Sequence, residues 1–176
     1  ELPHVRGAHA VHRLDLLEGD GKTKGLNHIA LEGLVVIIIA GHTWLTPGFG
    51  KLINENKIFA YNVPMGPLTQ LFRDIAAHKP GNLTHVGLGT FIDPREEGGK
   101  LYDLTKARGS VIVTVMTVEG KEYLFNKASP IHVAFLRGTT ADPDGNITME
   151  KECAVLDALA MAQATRNSGG IVIVQV

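Results

Sequence analysis

The chain alternates between short apolar runs and segments whose apolar residues recur at helical spacing. Val35–Ala40 (VVIIIA) is β-branched and apolar at successive positions, which predicts a strand buried on both faces, as in a parallel sheet. Ile58–Val63 and Ile171–Val176 predict further buried strands, and His9–Leu17 carries a weaker strand pattern. Between these runs, Leu26–Leu34 predicts a short helix after Gly25. Pro47–Asn56 predicts another, with Pro47 suited to a first turn. Pro67–His78 sets Leu68, Leu71, Phe72, Ile75 and Ala76 on one face, the mark of an amphipathic helix.

Leu83–Gly87 predicts a strand that runs into a glycine turn, and the polar, Gly-rich stretch Pro94–Gly109 a loop. The pattern then changes. Val111–Val118 and Glu122–Asn126, joined by Glu119-Gly120-Lys121, predict a β-hairpin. Ile131–Arg137 is an apolar strand, followed by turn chemistry at Asp142-Pro143-Asp144-Gly145-Asn146. Glu150–Asn167 reads as the longest helix, with Ala154, Val155, Ala158, Leu159 and Ala162 on its apolar stripe. Glu150 and Glu152 would favour its N-terminus, and Gly169 would end it. Together these elements predict an α/β domain over residues 1–176: a mostly parallel sheet flanked by helices, with a β-hairpin excursion. Ligands of such sheets bind beyond the carboxyl ends of the strands. That points to the loops after Ala40, Val63 and Val86.

Charge adds little to this picture. A net charge of −1 over 176 residues gives no electrostatic reason to expect nucleic acid or a membrane surface as a partner. The longest apolar run, Leu34–Ala40, falls far short of the roughly 20 residues that cross a bilayer. The single cysteine, Cys153, excludes an internal disulfide, suits a cytoplasmic protein, and reads as a small buried residue on a helix. The opening ELPHVRG has no Met and no signal-like apolar core, so the chain reads as a piece of a longer protein, as does its end at a strand.

Short motifs exclude more than they assign. Gly21-Lys22-Thr23 lacks the phosphate-loop glycine five residues upstream, where Leu16 stands. Gly87-Leu88-Gly89 begins like a dinucleotide fingerprint, but the third glycine is replaced by Ile92. A Gly-Leu-Gly turn after a strand still lets backbone approach a ligand closely. The eight histidines, His9 and His12 among them, show no metal-binding spacing, and no Gly-x-Ser-x-Gly elbow is present. Asp93, Glu96 and Glu97 lie together in a glycine-bounded loop. They read either as solvated charges or as carboxylates able to attack a thioester.

Longer blocks are more specific. GDGKTKGLNHIALEGL (Gly19–Leu34), AGHTWLTPGFGKL (Ala40–Leu52) and ENKI (Glu55–Ile58) precede LFRDIAAHKPGNLTHVGLGTFIDPREEGGKL (Leu71–Leu101). LRGTTADPDGNITMEKE (Leu136–Glu152) and NSGGIVIVQV (Asn167–Val176) follow. In this order the blocks resemble the N-terminal half of class I coenzyme A transferases of the propionate/acetate type. The resemblance implies a fold shared with sugar-phosphate isomerases. It also implies ping-pong chemistry through a glutamyl-CoA thioester, with CoA as co-substrate and no metal or redox cofactor. Implied partners are a short-chain acyl-CoA, a small carboxylate, a complementary C-terminal half and further copies of the chain.

Three departures bear on function. The family's early glycine-rich turn would precede Glu1, and its nucleophilic glutamate would follow Val176. Where members carry Pro-Gln-Gly, this chain has Pro64-Met65-Gly66, which removes an amide expected to face the active site. Thr43-Trp44 stands where a Trp-Gly order is usual. The resemblance makes Met65, Gly66, Gly87, Gly89 and Thr90 candidates to line a cleft against the C-terminal half, with Asn27, His28 and His42 behind them. Two rival readings are a sugar-phosphate isomerase-like enzyme, which would need its base in this domain, and a catalytically silent subunit that binds acyl-CoA or a partner chain.

Overall fold

The structure, a computed structural model, describes residues 14–15, 19–108 and 112–176. In chain order, β1 (Leu14–Asp15) precedes a 3-10 helix (Leu26–Ile29), β2 (Ile37–Ala40), α1 (Pro47–Asn54), β3 (Phe59–Asn62), α2 (Met65–Ala76) and β4 (Gly81–Thr84). Then come α3 (Tyr102–Ala107), β5 (Val113–Val118), β6 (Lys121–Lys127) and β7 (Val133–Arg137). The small strands β8 (Thr140–Ala141) and β9 (Ile147–Thr148), α4 (Ala158–Asn167) and β10 (Ile171–Gln175) complete the order. The predicted α/β class holds. Its parallel pairing is divided between two sheets, β1-β2-β3 and β7-β10, and a further sheet has the order β4-β6-β5. Of the strand expected over His9–Leu17, β1 is described. The rest lies outside the described residues, with His9 and His12.

The chain divides into two compact units, one running to Leu68 and including His85–Leu124, the other formed by Thr69–Thr84 and Phe125–Val176. In the first unit, β2 and β3 pair in parallel register, Ile38 with Ala60 and Ile39 with Tyr61. Their buried side chains join Phe49, Leu52 and Ile53 of α1 and Val35 and Ile58 in one core cluster. The VVIIIA run is therefore apolar throughout because both of its faces are covered. The free edge of β3 is occupied by the 99–105 segment. Asn62 N donates to Gly99 O at 2.7 Å, Leu101 N to Ala60 O at 2.9 Å, and Ala60 N to Thr105 Oγ1 at 2.9 Å.

That segment includes α3, inside the stretch expected to be a loop. Six residues are too few for a helical period to show in sequence. Tertiary partners hold α3 instead: Asn56 Oδ1 accepts the Leu104 N–H at 3.0 Å, and Thr105 is fully buried. The helix expected over Leu26–Leu34 shortens to the 3-10 turn, whose Ala30 N closes on Asn27 O. The β5–β6 hairpin turns through Glu119 (φ 49°) and Gly120 (φ 77°), the two left-handed positions that match strand twist.

In the second unit, α4 begins at Ala158 rather than Glu150. The residues before it are held outward by tertiary contacts. Glu152 pairs with Arg137 at 3.3 Å, Asp157 with Arg73 at 2.6 Å, and Leu156 takes φ 47°. The expected stripe is corrected accordingly. Ala160, Ala164 and Thr165 are buried, whereas Val155 and Leu159 are exposed, and Cys153 is exposed on non-helical backbone. Gly169 does end the helix. It takes φ 78°, with Gly169 N bonded to Arg166 O and Gly170 N to Thr165 O, the Schellman pattern. Buried Asp74 ties the end of α2 to β4, accepting from Lys79 Nζ at 2.8 Å and Asn82 Nδ2 at 2.9 Å.

Candidate active-site cleft

The cleft of the first unit lies at the carboxyl ends of β2 and β3 and takes in the expected loop after Ala40, whereas the loops after Val63 and Val86 do not line it. Buried Ile38, Ile53 and Ala60 line its inner side, and exposed His42 and Trp44 its outer side, with Thr43, Tyr61 and Asn62 between. Its volume is about 180 Å³, small against the ~300–1,000 Å³ typical of pockets for drug-sized ligands. It suits one end of a ligand, not a whole nucleotide-bearing cofactor. Gly41 joins this cleft to Met65. A Cβ at Gly41 would stand within 2.3 Å of Met65 Sδ, so the half-exposed thioether lies directly over the Gly41 backbone. Met65 thus lies beside the Gly41 end of the cleft that His42 lines, and a Cβ added at Gly66 would meet nothing within 4 Å.

Asn27 and His28 have a different setting. Asn27 Oδ1 accepts the Gly48 N–H at 3.2 Å, and Asn27 Nδ2 donates to Leu45 O at 3.1 Å and Lys24 O at 2.9 Å. It thereby satisfies an otherwise orphaned donor in the first turn of α1, a task that the N-cap Thr46 side chain does not perform. Asn27 sets where α1 begins. His28 is exposed at the end of the 3-10 helix.

Gly87, Gly89 and Thr90 form one turn. Gly87 has φ 100° and Gly89 φ 68°. Thr90 donates to Gly87 O through both N (3.0 Å) and Oγ1 (2.7 Å), and Leu88 N donates to His85 O at 3.3 Å. Gly89 N donates to Asp93 Oδ2 at 2.9 Å. With the amides of Leu88, Gly89 and Thr90 all engaged internally, the turn presents none of them to a developing oxyanion. Stabilisation of that kind must come from other donors. The turn is coupled to the cleft by packing. Buried Ile92 lies against Gly87 and Gly99, and Gly99 in turn approaches the Asn62 carbonyl closely enough to exclude any side chain.

The three carboxylates that are neighbours in sequence differ in burial and in partners. Asp93 is fully buried. It accepts from Gly89 N, Arg95 N (3.0 Å), Arg95 Nε (3.0 Å) and Arg95 Nη2 (2.8 Å). Arg95 extends to Glu122 of β6, with Nη1 3.0 Å from Oε2. Glu97 pairs with Lys106 at 2.9 Å on the surface, and Glu96 is exposed. Asp93 is therefore a buried anchor and unsuited to nucleophilic attack. Sequence reasoning missed this role. The one available signal was Arg95, two residues on, a spacing that a turn turns into a contact.

The Arg95 guanidinium, helped by the Gly89 amide, holds the Asp93 carboxyl well below the usual aspartate range despite burial. A depressed folded-state pKa contributes stability above the unfolded value of about 3.9 and loses it as pH falls toward the folded value. Asp93→Asn is therefore expected to melt less steeply with acid below about pH 4 than the parent protein. Thermal unfolding from pH 7 to 2 reads this out, and parallel acid profiles would refute it. Among the described residues, no group of three or more His, Cys, Asp or Glu is placed to hold a metal, and no helix is long and apolar enough to cross a membrane.

The family profile described as coenzyme A transferase matches residues 11–176. Acetate CoA-transferase YdiF of Escherichia coli K12 is 46% identical over 158 residues, which are 90% of this chain and 29% of that protein. Caffeate CoA-transferase of Acetobacterium woodii is also 46% identical over 158 residues, 90% of this chain and 30% of its own length. The crystal structure of the YdiF acyl-CoA transferase from E. coli O157:H7 in a thioester complex with CoA superposes with a TM-score of 0.87. It is 43% identical and covers 93% of this chain and 32% of that one. The chain thus spans under a third of these relatives. With its parallel strands, its cleft at their carboxyl ends and a profile matched along nearly its whole length, it belongs to the coenzyme A transferase family.

Proposed function

We propose that the protein bearing this chain transfers coenzyme A between short-chain acyl-CoA and carboxylic acids of the propionate, acetate and butyrate class. The supporting observation is the 46% identity over 90% of the chain to transferases named for two different acids. In the proposed ping-pong cycle, a glutamate oxygen outside these residues attacks the acyl carbonyl and CoA thiolate leaves, forming an acyl-glutamyl anhydride. The thiolate then attacks the glutamyl carbonyl and releases the acid, leaving a glutamyl-CoA thioester. A second carboxylate runs these steps in reverse. The thioester complex with CoA seen in the YdiF structure is consistent with this route.

These steps require no metal or redox cofactor. This chain's part is to enclose the acyl end. The apolar inner side of the cleft keeps water from the anhydride and the thioester, which hydrolyse readily, and Met65 packs over Gly41 at its edge, where a glutamine amide would offer a polar contact. The reading includes a complementary C-terminal half, self-association and a cytoplasmic setting.

Incubation of the complete polypeptide with propionyl-CoA, followed by denaturing intact mass, tests it. A gain of one CoA less one water, mapped by proteolysis outside these 176 residues, is expected. Transfer without an adduct would overturn the covalent route. Neither transfer nor adduct would favour the silent acyl-CoA-binding subunit.

A further inference from the structure

We propose that Glu122, Arg95 and Asp93 form a positioning relay that holds the Gly87–Thr90 turn in place to contact acyl-CoA. This rests on the coenzyme A transfer reading and adds residues that the resemblance did not single out. The relay begins on the β5–β6 hairpin. Glu122 lies two residues beyond the tight turn of the β5–β6 hairpin, and both of its carboxylate oxygens accept from Arg95 Nη1, at 3.1 and 3.0 Å. The far side of the same guanidinium, through Nε and Nη2, grips Asp93. Asp93 also accepts two backbone N–H groups, that of Arg95 at 3.0 Å and that of Gly89 in the turn at 2.9 Å.

An exposed Arg–Glu pair alone contributes little. This one differs because its other end is a buried carboxylate whose partners include the backbone of the turn. Gly89 has φ 68° and open space above its Cα, so packing does not fix it. The hydrogen bond to Asp93 orients Gly89, Thr90 is held by its own bonds to Gly87 O, and Arg95 orients Asp93. The same loop carries Gly99, which docks on the Asn62 end of the cleft at 2.7 Å. A displaced relay would therefore move the turn while leaving the β2–β3 core unchanged.

Kinetics and amide exchange on the complete polypeptide test this. Arg95→Ala is expected to raise KM for acyl-CoA about tenfold while kcat moves less than about threefold, as for lost contacts that bind ground and transition states alike. Glu122→Gln, which preserves the turn's direct partners, is expected to raise it about threefold, and Arg95→Lys to fall between the two. Exchange of the Gly89 amide should speed up in Arg95→Ala while β2 and β3 stay protected. Unchanged KM in a folded Arg95→Ala protein, or unchanged exchange at the turn, would overturn the relay. If the parent protein transfers no CoA, the functional reading and the acyl-CoA contact both fail, and the exchange result still decides whether the relay holds the turn.

Discussion

Gly87→Ala is expected to destabilise the protein by about 3 kcal/mol, combining a strained backbone with overpacking. Gly87 has φ 100°, which a residue with a Cβ adopts only under strain, and the added methyl would stand 2.3 Å from Ile92 Cγ2 and 3.2 Å from Leu124 Cδ1. Both neighbours are 1% exposed and have nowhere to go. Gly89→Ala is the control. Its φ is also left-handed, at 68°, but its Cβ would meet nothing. It should cost only the conformational penalty, about 1 kcal/mol. Chemical denaturation of the two variants separates the contributions. Equal losses would mean that Ile92 and Leu124 yield, and that the turn is not packed as described.

Phe49→Ala is expected to be as damaging, at about 3–5 kcal/mol, because a fully buried aromatic leaves a cavity that its surroundings fill only partly. Phe49 sits under β2 and β3 with Val35, Leu52 and Ile58, so its loss also loosens the strands that carry the cleft. Trp44→Ala, five residues earlier and chemically similar, should change stability by less than about 0.5 kcal/mol, because Trp44 is 86% exposed at the cleft mouth. A large loss at Trp44, or a small one at Phe49, would reverse the assignment of which aromatic is core and which is rim.

The sequence by itself determined the features whose cause is local. The β-branched run VVIIIA and the apolar face Leu68, Leu71, Phe72, Ile75 mark their elements because burial acts on residues at fixed short spacing. Glu119-Gly120 and Gly169 mark turns because their backbone needs left-handed angles. The family was legible for a related reason, since long ordered blocks survive as text. Tertiary structure alone decided the rest. Asn56 and Ala60 make α3 a helix, and Arg73 and Arg137 hold the segment before α4 out of one, through partners far away in sequence. The same holds at the site. Asp93, Glu96 and Glu97 look alike in a row, yet burial against Arg95 makes Asp93 an anchor and leaves Glu96 in solvent. Solvation and charge pairing depend on what surrounds a group in space, and only the folded chain supplies those surroundings.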